Sequence, residues 1–167
     1  MPSITIRKAT SADAKTLALF NRAMALETEH KRLIHELVIE GVQRPIAEPA
    51  LGFYLVAESE GQAVGSAMVT TEWSDWRNGR FWWLQSVYVE PAFRLHGVFR
   101  ALYARIKELA AGEPDVCGFR LYVEKDNAGA QATYGRLGMA QTEYRVMEEL
   151  RAGVVYLEAE GPQAKPI

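Results

Sequence analysis

A turn between a strand and a helix in the middle of the chain could bind an anion. The apolar segment 81–89 predicts a buried strand, Pro91 ends it, and a helix begins a few residues later. The first N–H groups of a helix have no partners inside it, and the helix dipole favours negative charge there. Gly97 would let a ligand approach the backbone, while Arg94 and Arg100 add positive charge. The pattern indicates a phosphate site, with an ordinary surface turn as the alternative.

A second group of residues follows where another predicted strand leads through a polar turn into a short helix. Asp126 is the expected N-cap of that helix. Asn127 and Tyr134 are seven residues apart and therefore share one helix face, with the small Ala130 between them. That face leaves room for a ligand, and the tyrosine hydroxyl could hydrogen-bond to it. The alternative is a core tyrosine with its hydroxyl at the protein surface.

Together the two segments resemble the GNAT superfamily of N-acetyltransferases. The stretch V-Y-V-x-P-x-x-R-x-x-G-x is similar to the central motif of the family, which contains Q/R-x-x-G-x-G/A. Arg94 and Gly97 match this motif, whereas Phe99 stands where Gly or Ala is usual. The stretch N-x-x-A-x-x-x-Y-x-x-x-G-[FM] at 127–139 is similar to the second motif, and the two motifs follow each other in the family order. The order of the flanking elements extends the resemblance over about residues 4–150.

The resemblance implies that the protein binds acetyl-CoA as a co-substrate. The family binds the pyrophosphate of CoA through backbone amides of the phosphate turn, and Phe99 keeps its amide although its side chain differs. The pantetheine arm would pair with the strand before the turn, and the second helix would complete the site. The residues assigned to acetyl-CoA in this way are Val87, Tyr88, Val89, Arg94, Leu95, His96, Gly97, Val98, Phe99, Arg100, Asn127, Ala130 and Tyr134.

The chemistry implied by the resemblance needs an acid and a base. Tyr134 would protonate the departing thiolate of CoA. The acceptor amine must be neutral to attack, yet an alkyl ammonium has a pKa of about 10.4, so a general base or a water relay is expected. Glu72, near the end of the strand that precedes 81–89, is the first candidate for this base. The alternatives are Glu27, Glu29, or a water molecule held by Gln85 or Ser86.

The acceptor is expected to be a primary amine of a small molecule or a peptide. The segments 24–42 and 73–80 would bind it, because acidic residues of the first could attract a cationic amine and tryptophans around the second could form an aromatic wall. The same residues could instead be ordinary surface charges and packing. A longer acyl donor is a further alternative. Another alternative is a non-catalytic module that binds or senses acyl-CoA. It is favoured by the lack of a carboxylate in 81–89 and by the unusual Phe99.

Periodicity predicts an α/β fold with the element order β-α-α-β-β-β-α-β-α-β-β. The resemblance implies a mixed, mostly antiparallel sheet with splayed central strands and flanking helices. Apolar residues on one face of a helix beginning at Val98 make it the clearest helix of the chain. The expected strands are 3–7, 52–58, 62–71, 81–89, 117–123, 139–147 and 154–158. The expected helices are one that is capped by Thr10 or Ser11 and reaches Met24, then 31–40, 98–110 and 128–136.

The composition is that of one ordinary globular domain. A chain of 167 residues predicts a single domain at 1–160, followed by a flexible tail at 161–167. A formal net charge of −2 gives no sign of a nucleic-acid partner, and one cysteine with three histidines gives none of a disulfide or a metal. No signal peptide and no apolar run of about 20 residues is found, so a cytoplasmic protein without a membrane partner is expected. The late strands could pair in a homodimer.

Overall fold

The computed structural model describes residues 3–159. The first strand is followed by two helices, three consecutive strands, a helix, a strand and a last helix, and short 3-10 turns precede four of these elements. The elements are β1 (Ile4–Lys8), α1 (Ala14–Glu29), α2 (His35–Ala47), β2 (Phe53–Ser59), β3 (Gln62–Ser74), β4 (Gly79–Val89), α3 (Val98–Ala110), β5 (Val116–Leu121) and α4 (Ala128–Arg136). The predicted tail at 161–167 lies outside the described residues.

The five strands form one sheet in the order β1-β2-β3-β4-β5. All neighbours are antiparallel except β4 and β5, which are parallel and joined through α3. Because side chains alternate along a strand, the two faces of β2 bury different residues. Leu55 and Ala57 pack with α3, whereas Tyr54 and Val56 pack with α1 and α2 on the opposite face. The predicted α/β fold with a mostly antiparallel sheet is confirmed.

The helix α3 covers one face of the sheet with the apolar side that the sequence predicts. Val98, Leu102 and Ile106 are at most 2% exposed, and Tyr103 is 4% exposed. They contact residues of the central strands, among them Leu84. Burial of these side chains fixes the position of α3 and hence the position of its first turn.

The strands β4 and β5 separate before β4 ends. Their parallel register stops at the pair Leu84 and Leu121, yet β4 continues to Val89. At the point of separation Ser86 has a φ of 49°, and the register of β4 with β3 shifts there. Such a bulge bends a strand and increases its twist. The splayed central strands that were predicted are therefore present.

The two late strands predicted at 139–147 and 154–158 are wrong. Their alternating apolar residues suit a half-buried strand, but alternation does not show which part of the chain the backbone pairs with. The backbone of Tyr156 and Glu158 pairs instead with the segment between α1 and α2. Leu157 forms an isolated bridge with Leu33 there, which draws the chain away from β5. Side chains such as Tyr144 therefore stay exposed.

The second helix is also displaced from its predicted bounds. A helix at 31–40 ending before Gly41 was expected, whereas α2 begins at His35 and continues to Ala47. Val42 is 1% exposed and packs with the cluster formed by α1 and β2, so burial outweighs the poor helix propensity of Gly41 and Pro45. Pro45 lies in the last turn, where few further helical hydrogen bonds depend on it.

An ion-pair cluster ties β1 to β2 and to the start of α1. The carboxylate of Asp13 is buried and accepts two hydrogen bonds of 2.8 Å from the guanidinium of Arg7, which also bonds to Glu58 at 2.7 Å. The backbone N–H of Thr10 donates a further bond of 2.7 Å to Asp13. The hydrogen bonds from Arg7 lower the pKa of Asp13 to about 2, against an opposing effect of burial. The charged form of Asp13 is therefore part of the folded state.

Replacing Asp13 by Asn is expected to destabilise the protein by about 2 kcal/mol at pH 7, because charged hydrogen bonds to Arg7 are lost. A pKa that folding lowers from 3.8 to about 2 stabilises the protein above pH 3.8, and this contribution is lost as the pH falls through 2. The difference between wild type and Asp13→Asn in urea unfolding should shrink over that range. Asp75→Asn, at an exposed carboxylate, is the control. A difference that does not change with pH would contradict this explanation.

Candidate functional site

The first turn of α3 presents backbone donors without protein partners. Gly97, with a φ of 81°, precedes the helix, and the first bond into the helix is from the N–H of Ala101 to the carbonyl of Gly97 at 3.0 Å. Among residues 3–159, no acceptor pairs with the amides of Val98, Phe99 or Arg100. A Cβ on Gly97 would meet no atom within 4 Å, so the left-handed backbone is what favours glycine there. This turn can bind an anion through three amides and the helix dipole.

The side chain of Arg94 joins this turn to α1. Its Nη2 forms a 2.6 Å ion pair with Glu27, and its Nε donates a 2.9 Å hydrogen bond to the carbonyl of Val89. Its guanidinium also lies 5.6 Å from the ring centre of Tyr88, whose hydroxyl donates a 3.4 Å bond to Glu27. Arg94 is thus held beside the amides of the turn. The sequence did not predict this pair because its partners are 67 residues apart.

The other predicted residues of the turn are exposed. Leu95 has a φ of 65° and is fully exposed, and His96 places its Nδ1 2.8 Å from the carbonyl of Arg94. Arg100 is exposed on the outer side of α3. These side chains surround the anion site without filling it.

The end of β4 offers a second set of backbone groups. From Gln85 to Val89 the side of the strand that faces β5 has no ladder partner among the described residues. The side chain of Tyr88 is buried against Phe20, with ring centres 5.0 Å apart, and Val87 packs towards α3. The backbone of this segment can therefore bind an extended ligand while its side chains stay in the core. This gap leads directly to the first turn of α3.

The short helix α4 has the predicted bounds, Ala128–Arg136, but its N-cap lies one residue later than predicted. Asn127 is its N-cap and accepts a 3.1 Å bond from the N–H of Ala130, so the expected cap at Asp126 is wrong. The amide of Asp126 instead bonds to the carboxylate of Glu124 at 2.8 Å, which closes the turn before the helix starts. The side chain of Asn127 is exposed and occupied by capping, and Ala130 is half-buried.

Tyr134 lies beside the unusual Phe99. Their ring centres are 5.2 Å apart at 69°, an edge-to-face arrangement, and Phe99 stacks on Tyr103 at 6.0 Å. The ring of Phe99 is half-buried on the apolar side of α3, so it does not block its own amide. Burial raises the pKa of Tyr134 above its usual value of 10. The phenol is therefore protonated at neutral pH and can donate a proton.

Glu72 belongs to a polar cluster on the opposite face of the sheet from α3. One carboxylate oxygen accepts a 2.6 Å bond from Arg120, and the other accepts a 2.5 Å bond from the indole N–H of Trp83. The ring of Tyr122 lies 4.4 Å from that of Trp83. Arg120 and Tyr122 were missed in the sequence, although their spacing of two on β5 indicates a common face. Glu72 and Tyr134 thus lie on opposite faces of the sheet.

A metal-binding cluster and a membrane-spanning helix are both absent from residues 3–159. No group of three or more His, Cys, Asp and Glu side chains is arranged to hold a metal ion there. No helix in that range is long and apolar enough to cross a membrane.

Comparison with known proteins finds relatives of the whole domain. The family model described as "Acetyltransferase (GNAT) family" matches residues 18–139. A possible acetyltransferase from Clostridium difficile 630 is 40% identical, with a TM-score of 0.80 over 89% of this chain and 97% of its own. A predicted acetyltransferase from Clostridium acetobutylicum, solved with acetyl-CoA, is 18% identical, with a TM-score of 0.74 over 88% and 96% of the two chains.

A more distant structure shares the fold. The aminoglycoside N-acetyltransferase AAC(6')-Iy, solved with CoA, is 16% identical, with a TM-score of 0.72 over 90% of this chain and 97% of its own. No curated protein matches the sequence.

The amide site at the start of α3 is expected to bind inorganic pyrophosphate. In ¹⁵N–¹H spectra, pyrophosphate should shift the amide signals of Val98, Phe99 and Arg100, because they have no acceptor in the protein. The amides of the last turn of α3, near Lys107, are the internal control. Arg94→Gln should weaken the binding, whereas Arg105→Gln, on the same helix, should not. Equal shifts at both ends of α3 would contradict the site.

Proposed function

The chain belongs to the acetyltransferase (GNAT) family, and from that premise we propose that it is an N-acetyltransferase. In this proposal it transfers the acetyl group of acetyl-CoA to a primary amine of a small molecule or a peptide, by direct attack in a ternary complex. The observation that carries the proposal is the continuity of two backbone surfaces that have no strand or helix partner, although the carbonyl of Val89 already accepts a bond from Arg94. The open edge of β4 leads into the amides of the first turn of α3, and Tyr134 lies close by.

The pyrophosphate of CoA would bind to the amides of residues 98–100. Arg94 can assist without breaking its existing bonds, because the guanidinium has five N–H donors and its Nη1 has no partner among residues 3–159. The positive end of the α3 dipole adds a favourable interaction at the same place. This geometry supports binding of a pyrophosphate rather than of a single charge.

The pantetheine arm would lie in the gap between β4 and β5. Its amides would pair with the backbone of Val87, Tyr88 and Val89, as a further strand would. The thioester carbonyl would then lie near the bulge at Ser86, where a backbone N–H can stabilise the oxyanion of the tetrahedral intermediate. The exposed Leu95 and His96 would border the outer part of the cofactor.

The reaction itself would need an acid on one side of the sheet and a base on the other. The amine nitrogen attacks the thioester carbon, the intermediate collapses with cleavage of the C–S bond, and the thiolate takes the proton of Tyr134. The proton of the amine passes to a base, for which Glu72 is the first candidate and Glu27 the second. Each oxygen of Glu72 has one partner, and a carboxylate has about four acceptor sites, so a water molecule or the amine can still bind.

The acceptor would bind on the face of the sheet opposite α3. Glu72 supplies negative charge there, and the rings of Trp83 and Tyr122 supply aromatic surface. A carboxylate beside aromatic rings suits an amine that arrives as a cation. The fold relative AAC(6')-Iy, an aminoglycoside N-acetyltransferase, likewise acts on an amine.

A non-catalytic module that binds or senses acyl-CoA is the second candidate. It is favoured by the absence of a carboxylate on β4 and by the pairing of both oxygens of Glu72. For either function we propose a single domain at 1–160 in the cytoplasm that needs no metal. A homodimer is proposed as its assembly.

The two candidates differ in turnover. The protein is expected to bind acetyl-CoA in calorimetry and to release CoA thiol when one member of a panel of small-molecule and peptide amines is added. A series of donors from acetyl- to octanoyl-CoA measures which acyl chain the protein prefers. The Arg94→Gln variant is the control for specific binding. Binding without thiol release across the panel would establish the non-catalytic module. If the protein neither binds acetyl-CoA nor releases thiol, both candidate functions are excluded.

The base can be identified by a matched pair of substitutions. Glu72→Gln is expected to lower kcat by about 100-fold with the active acceptor, because a general base contributes about 10² to 10⁴ in rate. Glu27→Gln should change kcat less. An acceptor whose own pKa is near 7 should restore much of the rate of Glu72→Gln, since it needs no base. The reverse order of the two variants would assign the base to Glu27.

A further inference from the structure

The helix that carries Tyr134 is attached to the rest of the molecule by apolar contacts. Within the described part of the chain, the hydrogen bonds of α4 and its flanking turns all stay inside residues 124–139. The ion pair of Lys125 with Asp126 is also local. The preceding strand ends at Leu121, so six residues separate it from the helix. No polar contact among residues 3–159 therefore sets the rotation of α4 against the sheet.

A chain of aromatic rings connects Tyr134 to the core. Tyr134 meets Phe99 edge to face, Phe99 stacks on Tyr103, and the ring centre of Tyr103 lies 5.7 Å from that of Phe119 on β5 at 79°. Tyr103 is only 4% exposed, so its ring is held by the packing around it. Edge-to-face and offset pairs at these distances are favourable beyond the area that they bury. The position of the Tyr134 ring is thus defined through Phe99.

We infer that Phe99 is a positioning residue for the acid, and that its ring holds the hydroxyl of Tyr134 at the thiolate of CoA. The inference rests on the proposed function. It explains why a large ring is compatible with a turn where the sequence motif usually has Gly or Ala. Those residues keep the amide that binds phosphate, but they have no side chain that reaches Tyr134. In this chain one residue serves both purposes, its amide towards the phosphate and its ring towards the acid.

The size of the effect follows from the demands of proton transfer. A general acid acts only when its heavy atom lies about 2.6–3.2 Å from the atom that it protonates, or one water away. A misplacement of about 1 Å can cost about 100-fold in rate. Loss of the Phe99 ring would remove the aromatic contact of Tyr134, while Leu137 and Met139, which follow it in the chain, would still contact the core. The hydroxyl of Tyr134 would then no longer be held at hydrogen-bonding distance from the sulfur of CoA.

A double-mutant cycle on the chemical step tests this inference. Single-turnover rates are measured with saturating acetyl-CoA and the acceptor found in the amine panel. Tyr134→Phe should lower the rate about 100-fold and Phe99→Ala about tenfold, with acetyl-CoA affinity within about twofold of wild type in both. In the Tyr134→Phe background, Phe99→Ala should have almost no further effect. Phe119→Leu, which removes the other ring against Tyr103, should have the same factor in both backgrounds.

A second readout needs no acceptor. In protein labelled with [¹³Cζ]tyrosine, the signal that Tyr134→Phe removes is the signal of Tyr134. Its pKa is expected above 10 in the wild type, because burial disfavours the phenolate. In Phe99→Ala this pKa should fall towards 10, whereas Phe119→Leu should leave it unchanged. If Phe99→Ala does not fold, Phe99→Leu goes through the same measurements with a smaller expected change.

The outcomes separate the inference from the function on which it rests. If Tyr134→Phe keeps the wild-type single-turnover rate, Tyr134 is not the acid. The acid role of Tyr134 and the positioning role of Phe99 are then both excluded. If Tyr134→Phe is slow but Phe99→Ala lowers the rate equally in both backgrounds, the acid role stands and the positioning role of Phe99 is overturned. A Tyr134 pKa that does not respond to Phe99→Ala would overturn it as well, with or without a known acceptor.

Discussion

The parting of β4 from β5 is the constraint on which the rest of this site depends. Past Leu84 the strand β4 continues through Val89 with no neighbour on one side, although backbone groups in a protein interior need partners. A ligand with amides of its own can supply those partners. The pantetheine arm of CoA has two such amides, so in the proposed complex it would pair with the open edge of β4. The reacting carbonyl would then lie near the bulge at Ser86.

The remaining parts of the site follow from where that gap lies in the sheet. Because β4 leads into α3, the free amides of the first turn of that helix stand at the end of the open edge. Because α3 covers one face of the sheet, Tyr134 lies on that side beside Phe99, and Glu72 lies on the opposite face. In the proposed reaction this arrangement would keep the acid and the base apart, with the thioester between them. Arg94, held by Glu27, links the phosphate end of the gap to the helix α1, which also contributes an acidic side chain.

Sequence patterns predicted those elements whose formation depends on neighbouring residues in the chain. The apolar side of α3, the buried strand β4 and the turn at Gly97 were predicted from periodicity, strand composition and a glycine before a helix. Their positions relative to each other came from the family resemblance. The predictions of strands at 139–147 and 154–158 were wrong because alternation shows which face of a strand can be buried, and not which segment its backbone pairs with. The extension of α2 past Gly41 was missed because burial of Val42 decides it.

The same distinction applies to the site. Tyr134 and Gly97 were proposed as site residues because motifs record them, whereas the pairs Arg94–Glu27 and Arg120–Glu72 join elements far apart in sequence. No local rule predicts such pairs. The contact of Phe99 with Tyr134 belongs to this class, and a departure from the motif was the only signal in the sequence that pointed to it.

The most direct test of the central claim is a crystal structure of the protein with acetyl-CoA. The pyrophosphate should accept hydrogen bonds from the amides of residues 98–100, the pantetheine arm should lie between β4 and β5, and the sulfur should lie within reach of the Tyr134 hydroxyl. The methyl of the acetyl group should face the side of Glu72. Acetyl-CoA bound elsewhere, with β4 and β5 closed on each other and the first turn of α3 empty, would contradict the proposed site.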